Sequence, residues 1–308
     1  MSTVLITGVA GFIGSHTADH LLAAGHRVVG VDNFRTGKRA NIALALKSSR
    51  FKFHRLDVTN AAALDALIAK THPDTIIHLA ALVSVQESIS HPALNFELNV
   101  AATQNVAESA RRRGVRRIVF ASSAAVYGNS PRTVHESSPT RPLSPYGAAK
   151  RASEEILLGY AATFGLIVRC QRYFNVYGPR QDPHSPYSGV LSVFLDRLRA
   201  GKTPEIFGDG GQTRDFIAVG DVARANVLAA TRRGISSGIA NICTGRSTSI
   251  NQLTNLLARQ FKATPPPRHT AARAGDIRFS RGNPEKARAD FGFSARIKIR
   301  DGLAALSS

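Results

Sequence analysis

Acidic residues are scarce in this chain. Its 308 residues include 21 Asp and Glu against 40 Lys and Arg, a formal net charge of +19 at pH 7. So large an excess of one sign raises the question of a nucleic-acid partner. The positives do not read as one tract, however: arginine is spread along the whole chain and is densest after Arg259. No nucleic-acid-binding module is recognisable, so no nucleic-acid role is expected. An anionic small substrate needs only a few of these cations, and the rest read as a solvated surface. Cysteine is almost absent too. Cys170 and Cys243 both lie in apolar, strand-like segments, which reads as two buried free thiols rather than a disulfide framework. Long hydrophobic runs are missing: the longest are strand-sized, so no membrane partner is expected. The start, MSTVLITG, has no basic residue or cleavage site, and its apolar run is too short for a signal peptide. The cytoplasm is the expected compartment. There is no internal repeat, and no metal site is expected.

What is present is an alternation of strands and helices. The length allows one large core or two domains. Val4 to Thr7, Arg27 to Val31, Phe51 to Leu56, Thr75 to Leu79, Arg116 to Ser122 and Leu166 to Arg172 read as strands. Helical periodicity runs from Phe12 to Ala24, with Gly25 as a stop, from Asn95 to Arg112, and from Pro145 to about Phe164. Mostly apolar strands separated by helices indicate an α/β fold: a Rossmann-type, doubly wound parallel sheet covered on both faces. After Asn175 prolines and glycines become frequent and helices shorten. This region reads as a smaller C-terminal α/β unit laid over the carboxyl ends of the strands.

Gly8, Gly11 and Gly14 stand in GVAGFIG, between the first strand and the first helix. Such spacing supplies a tight turn, bare backbone for a pyrophosphate, and close packing of helix on strand. The helix N-terminus adds amide donors. Phe12 and Ile13 open that helix. Asp32 ends the next strand, 24 residues after Gly8. A carboxylate there accepts both hydroxyls of an adenosine ribose and repels a 2′-phosphate, which favours NAD over NADP. Arg35 and Lys38 are able to neutralise such a phosphate and leave NADP open. Asn33 follows Asp32, Asp57 and Val58 follow the third strand beside the adenine, and Leu79, Ala80 and Ala81 end the fourth with small side chains.

Tyr146 and Lys150 are four residues apart at the start of a helix, hence on one face. A nearby ammonium favours the phenolate, and a nicotinamide cation pushes the same way. Such a tyrosine is a candidate general base. Ser123 follows a strand ending in the same region, and its hydroxyl is placed to bridge the tyrosine and a reacting hydroxyl. A Tyr-x-x-x-Lys pair alone carries little weight; its position after a dinucleotide fold and a serine-rich strand end makes it the catalytic candidate.

TGVAGFIG, HLAA, FASSAAVYG, SPYGAAK, RYFNVYGPRQ, GDGGQTRDF and RAGD occur in this order. Together they resemble the UDP-glucose 4-epimerase family within the extended short-chain dehydrogenases. The resemblance spans Val4 to about Phe291, and the motifs after Ser122 are its specific part. It implies NAD as cofactor, a UDP-sugar substrate, and inversion at C4 through a transient 4-keto sugar, with Ser123, Tyr146 and Lys150 as the catalytic set. It implies that Asn175, Arg214, Arg273 and Asp276 hold the diphosphate and uridine. Two guanidinium forks suit a diphosphate. Ser280 matches the wall beside the sugar C2 substituent, and its small size implies acceptance of N-acetylhexosamines as well as plain hexoses. The change of pattern after Asn175 divides the chain into residues 1–174 for NAD, with a return segment near 215–235, and a discontinuous substrate domain over residues 175–308. The resemblance also implies a homodimer through the helices Asn95–Arg112 and Pro145–Phe164, with Ala101, Val106, Ala152 and Leu157 as candidate contacts.

This chain departs from the family at Ala218, often aromatic, and at Ala125, often threonine or serine; packing rather than chemistry is expected to change. Tyr127 and Gly128 are expected to shape a turn at the cleft, with Tyr127 also a candidate substrate contact. Related scaffolds offer rival reactions. Sugar-nucleotide dehydratases resemble one another in an Asp-Glu pair where this chain has Ala124 and Ala125, and decarboxylases typically place a glutamate beside the same strand. Another sugar-nucleotide oxidoreductase, reductase or epimerase stays open. A non-catalytic NAD-binding regulator is opposed by the complete Ser-Tyr-Lys set.

Overall fold

The computed structural model describes residues 1–182, 189–261, 266–272 and 277–307. Seven strands form one parallel sheet. In chain order they begin β1 (Thr3–Thr7), β2 (Arg27–Asp32), β3 (Phe51–Arg55), β4 (Thr75–His78), β5 (Arg117–Ser123) and β6 (Ile167–Tyr173). The seventh, Gly238–Ile242, is an edge strand beside β6, and the order across the sheet continues β5, β4, β1, β2, β3. β1 pairs with β2 on one side and β4 on the other, in register Val4↔Val28 and Val4↔Thr75. The winding therefore reverses at β1. In such sheets the crevice outside the carboxyl ends of the strands at the reversal is where ligands bind.

Side-chain alternation decides what covers each face. Val4 and Ile6 point into one apolar cluster with Leu21 of α1 (Phe12–Ala23) and with Val222 and Ala225 of a later helix. Leu5 points the other way, into a cluster with Leu64 and Ile68 of α2 (Ala61–Thr71). Both faces are dry, which accounts for the near-continuous apolar strands. Each large aliphatic side chain buried here contributes about 1.5–3 kcal/mol.

The stretch expected as one helix over Asn95–Arg112 is composite. After α3 (Val85–Ser90) comes α4 (Pro92–Phe96), then a π-helical turn Glu97–Ala101, then α5 (Ala102–Arg112). A π-turn leaves carbonyls without their usual helical partner. The Asn99 carbonyl is taken up by the hydroxyls of Thr103, at 2.6 Å, and Ser153, at 2.8 Å. Ser153 belongs to α6 (Pro145–Phe164), so the irregular turn ties α5 to α6. α6 begins where Ser144 accepts the Gly147 amide at 3.2 Å and Pro145 occupies the first turn.

After β6 the chain leaves the sheet. A third apolar cluster forms around Leu191, Phe194 and Leu195 of α7 (Val190–Arg199) with Leu253 and Leu257 of Ile250–Phe261. Among the described residues, three two-stranded ribbons lie in this half: Asn175–Tyr177 with Phe216–Ala218, Thr213–Arg214 with Thr248–Ser249, and Glu205–Phe207 with Arg268–Thr270. The chain returns to the sheet twice, as α8 (Val219–Thr231) packed on α1 and as the edge strand Gly238–Ile242. Cys170 and Cys243 are buried free thiols. No helix among the described residues is long and apolar enough to cross a membrane.

Candidate active site

A cleft of about 900 Å³ runs from the β1–α1 turn across the carboxyl ends of the strands to the C-terminal ribbons. Its floor is set by glycine. Gly8 has φ +70°, and a Cβ there would lie 2.8 Å from the Ala80 nitrogen. A Cβ on Gly14 would lie 2.1 Å from the Gly8 carbonyl oxygen. Neither position tolerates a side chain, so α1 starts in contact with the strand end and its first amides face an open cradle. Phe12 and Ile13 line the same cradle. Thr7 fastens the facing wall: its hydroxyl accepts the Leu79 and Ala80 amides at 3.1 and 3.2 Å. Leu79, Ala80 and Ala81 all line the cleft.

Asp32 caps the far side of the turn. Its two oxygens accept the Ala10 and Phe34 amides at 2.9 and 2.8 Å. Burial raises its carboxyl, and these two bonds pull it back. Each oxygen keeps a lone pair for a hydroxyl donor. Asn33 donates to Asp57 at 2.7 Å, joining the ends of β2 and β3, with Val58 buried behind. The two cations that left NADP open are both paired with carboxylates. Arg35 meets Glu87 at 2.5 Å, and Lys38 meets Asp182 at 2.6 Å. Among the described residues, Asp32 therefore stands in this rim with backbone donors only, which suits a 2′-hydroxyl and opposes a 2′-phosphate.

Ser123, Tyr146 and Lys150 are brought together at the end of β5 and the start of α6. The Ser123 hydroxyl acts on the Tyr146 phenol, drawing its titration down. Ser123 also accepts the Ala125 amide at 3.1 Å. Lys150 is buried, donates to the Ala121 carbonyl at 2.9 Å, and lies 4.9 Å from the Phe120 ring and 5.9 Å from the Tyr146 ring. Burial raises the Tyr146 phenol above its ordinary value, and the Ser123 hydroxyl only partly offsets this. Burial also draws the Lys150 ammonium down to about 7, against the pull of Glu154. The lysine alone thus does not deliver a phenolate, because the same desolvation penalises both charges.

The C-terminal wall is partly described. The Asn175 side chain and Arg214 line the cleft, where Arg214 donates to the carbonyls of Thr213 at 2.9 Å and Ile277 at 2.5 Å. Ser280 lines it too, its amide held by the Thr213 carbonyl at 3.2 Å. Arg273 and Asp276 lie outside the described residues. Tyr127 is turned inward, its hydroxyl donating to Asn241 at 2.6 Å, and Gly128 makes the expected turn at φ +67°.

Sequence reasoning missed the strap Gly178–Asp182 across the cleft. His16 meets the Pro179 carbonyl at 2.9 Å, Arg180 pairs with Asp19 at 2.7 Å, and Asp182 takes Lys38. Its motif, YGPRQ, was visible, but ion pairs between distant segments carry no local signal.

Comparison with known proteins bears on this geometry. The model of the NAD dependent epimerase/dehydratase family matches residues 4–243. This chain belongs to that family. It is 40% identical over 302 residues to a UDP-glucose 4-epimerase of Mycolicibacterium smegmatis, covering 97% of this chain and 96% of that protein. A Thermus thermophilus UDP-glucose 4-epimerase solved with NAD superposes with a TM-score of 0.89, at 36% identity, over 98% of this chain and 97% of that one. A UDP-N-acetylglucosamine 4-epimerase of Methanobrevibacter ruminantium, in complex with UDP-N-acetylmuramic acid, gives 0.93 at 32% identity, over 99% and 96%. The glycine cradle and Asp32 fit NAD, the cofactor of the family.

The rim makes a definite cofactor prediction. Nucleotide extracted from the purified protein and weighed by mass spectrometry is NAD, not NADP. Asp32→Ala lowers the NAD content and narrows the preference; recovery of NADP as the main species from the wild type contradicts the reading of the rim.

Proposed function

We propose that the chain is an NAD-dependent enzyme inverting C4 of a UDP-hexose, interconverting UDP-glucose and UDP-galactose. The observation that carries this reading is the meeting of Ser123, Tyr146 and Lys150 at the mouth of the glycine cradle. In this reading residues 1–174, with the returning segment near 215–235, hold NAD, and residues 175–308 hold the UDP-sugar. Asn175, Arg214, Arg273 and Asp276 bind the nucleotide, the two arginines facing the diphosphate and Asp276 a ribose hydroxyl.

Tyr146 Oη accepts the proton of the sugar 4-hydroxyl, and Ser123 Oγ bridges the two oxygens. NAD, when bound, supplies the acceptor for the C4 hydride and the donor that returns it. Lys150 holds positive charge beside the phenolate as it forms, and its ammonium also suits a ribose hydroxyl. Inversion requires the 4-keto sugar to turn about its link to the diphosphate before the proton and hydride return. The protein's part is orientation and one proton relay. Ala124 and Ala125 support this reading over elimination, since neither offers an acid or a base.

Ser280 supports breadth. An acetamido group needs volume that a phenol ring would fill, and overlap costs more than a loose fit. A serine leaves the wall open, so the N-acetylhexosamine pair is accepted beside the plain pair.

The dimer remains part of this proposal, with an altered contact set. Val106 and Leu157 are fully buried within the chain and are not available to a partner. Ala101 and Ala152 are half-buried. Ile89, Phe96, Leu143 and Phe164 are exposed on or beside the same helices and take the place of the two leaving contacts.

Four measurements test the proposal. Incubation with UDP-glucose, UDP-galactose and their N-acetylated forms, without added cofactor, produces the C4 epimers by anomeric-proton NMR. Tyr146→Phe lowers turnover by about 10²–10⁴-fold with UDP-sugar binding nearly intact; wild-type turnover in this variant rejects the base. Ser280→Tyr loses kcat/KM for the acetylated pair and keeps it for the plain pair; equal loss for both rejects the pocket argument. Light scattering gives twice the chain mass, and a monomer mass at micromolar concentration rejects the dimer.

A further inference from the structure

Glu154 is a carboxylate with no exposed surface, one turn beyond Lys150 on α6. Arg172, in β6, is 1% exposed and grips both its oxygens, Nε to Oε1 at 2.8 Å and Nη2 to Oε2 at 2.7 Å. Arg151 adds a third bond at 3.1 Å. A buried ion pair returns little net stability, because desolvating both ions costs about what their attraction restores; well-packed apolar side chains often do as well. Stability does not account for this pair. Its connections do.

The Ser122 hydroxyl donates to Glu154 Oε1 at 2.5 Å. Ser122 stands between Ala121, whose carbonyl accepts Lys150 Nζ, and Ser123, whose hydroxyl acts on the Tyr146 phenol. One carboxylate thus fixes the strand segment that aims two of the three catalytic side chains. Charge adds a second link. Tyr146 and Glu154 face Lys150 from α6, His78 from β4, and Arg172 and Cys170 stand around Glu154 on β6. Burial and Lys150 hold His78 neutral, down to about 3, and burial pushes the Cys170 thiol up, so neither supplies charge at neutral pH. The negative charge acting on Lys150 comes from Glu154.

We propose that Glu154, clamped by Arg172, is a positioning residue for catalysis: through Ser122 it sets Ser123 and the Ala121 carbonyl, and it places a carboxylate one helical turn from the Lys150 ammonium. The inference rests on the reading of Tyr146 and Lys150 as the reacting set.

The test uses the NAD-loaded enzyme. Glu154→Gln removes the anion, so Lys150 gives up its proton at lower pH. The alkaline limb of the kcat profile moves down by about one pH unit. At the optimum kcat falls about 10–100-fold, with KM for UDP-glucose within about twofold, as expected when aim rather than binding is lost. Glu154→Asp restores the limb. Ser122→Ala keeps the ion pair and its charge, so kcat falls about 3–10-fold while the limb stays in place. A folded, NAD-loaded Glu154→Gln enzyme with an unmoved limb overturns the charge link. If Glu154→Gln does not fold, Ser122→Ala decides: unchanged kcat overturns the positioning link. Normal turnover in Tyr146→Phe is a different failure, because it removes the catalytic assignment itself.

Discussion

The structure depends on one close approach: α1 starts against the carboxyl end of β1, with the Gly14 Cα–H facing the Gly8 carbonyl where a Cβ would sit at 2.1 Å. β1 is the strand at which the sheet's winding reverses, so its end opens onto the crevice. Because α1 is pressed so close, its N-terminal amides face that crevice rather than solvent. Because Gly8 is at positive φ, the chain turns without filling the space. Asp32, Thr7 and the small residues Ala80 and Ala81 are then close enough to form walls. A single methyl group at position 14 would move the helix and with it each of these.

The proposed catalytic residues line the same crevice and obey a harsher rule. Lys150 and Glu154 are buried on one helix, and Arg172 is buried on the strand below. Low polarity strengthens every charge interaction among them and penalises every charge left alone. That is why the network is closed by Ser122 and Arg151, and why the phenol and the ammonium are both pushed toward their neutral forms. A site arranged in this way is poised rather than charged. A cation arriving beside Tyr146 shifts the balance more here than it would in water, since the effective dielectric is lower.

Much of this was legible in the sequence, for physical reasons. Strands buried on both faces are apolar throughout, so β1, β2, β4, β5 and β6 were readable within a residue or two. α6 was readable to the residue because Ser144-Pro145 and Gly165 punctuate both its ends. The helix Asn95–Arg112 was read as uniform because a π-turn changes which carbonyls are free without changing the apolar period. α2, AAALDALIAKT, shows a weak stripe and is defined chiefly by its Asn60 cap. The edge strand Gly238–Ile242 depends on pairing with β6, which no local pattern reveals. Within the site, the glycines and the Tyr-x-x-x-Lys spacing are local codes. The Glu154–Arg172 pair joins residues 18 apart in the chain through tertiary packing, and the Gly178–Asp182 strap joins residues still more distant.

The charge imbalance of the chain gives this placement its meaning. With 40 basic and 21 acidic residues, a carboxylate is the scarcer partner. Around the cleft three carboxylates are committed to cations: Glu87 to Arg35, Asp182 to Lys38 and Asp19 to Arg180. Each of these pairs engages a cation that lines the cleft. Asp32 is different. It spends its oxygens on two backbone amides, which hold its geometry without cancelling its charge. In a basic chain that arrangement keeps a negative point in the rim, suited to a diol and opposed to a phosphate. The net positive charge therefore does not leave the rim uniformly basic: Arg35, Lys38 and Arg180 are paired, and Asp32 keeps a carboxylate held by backbone amides.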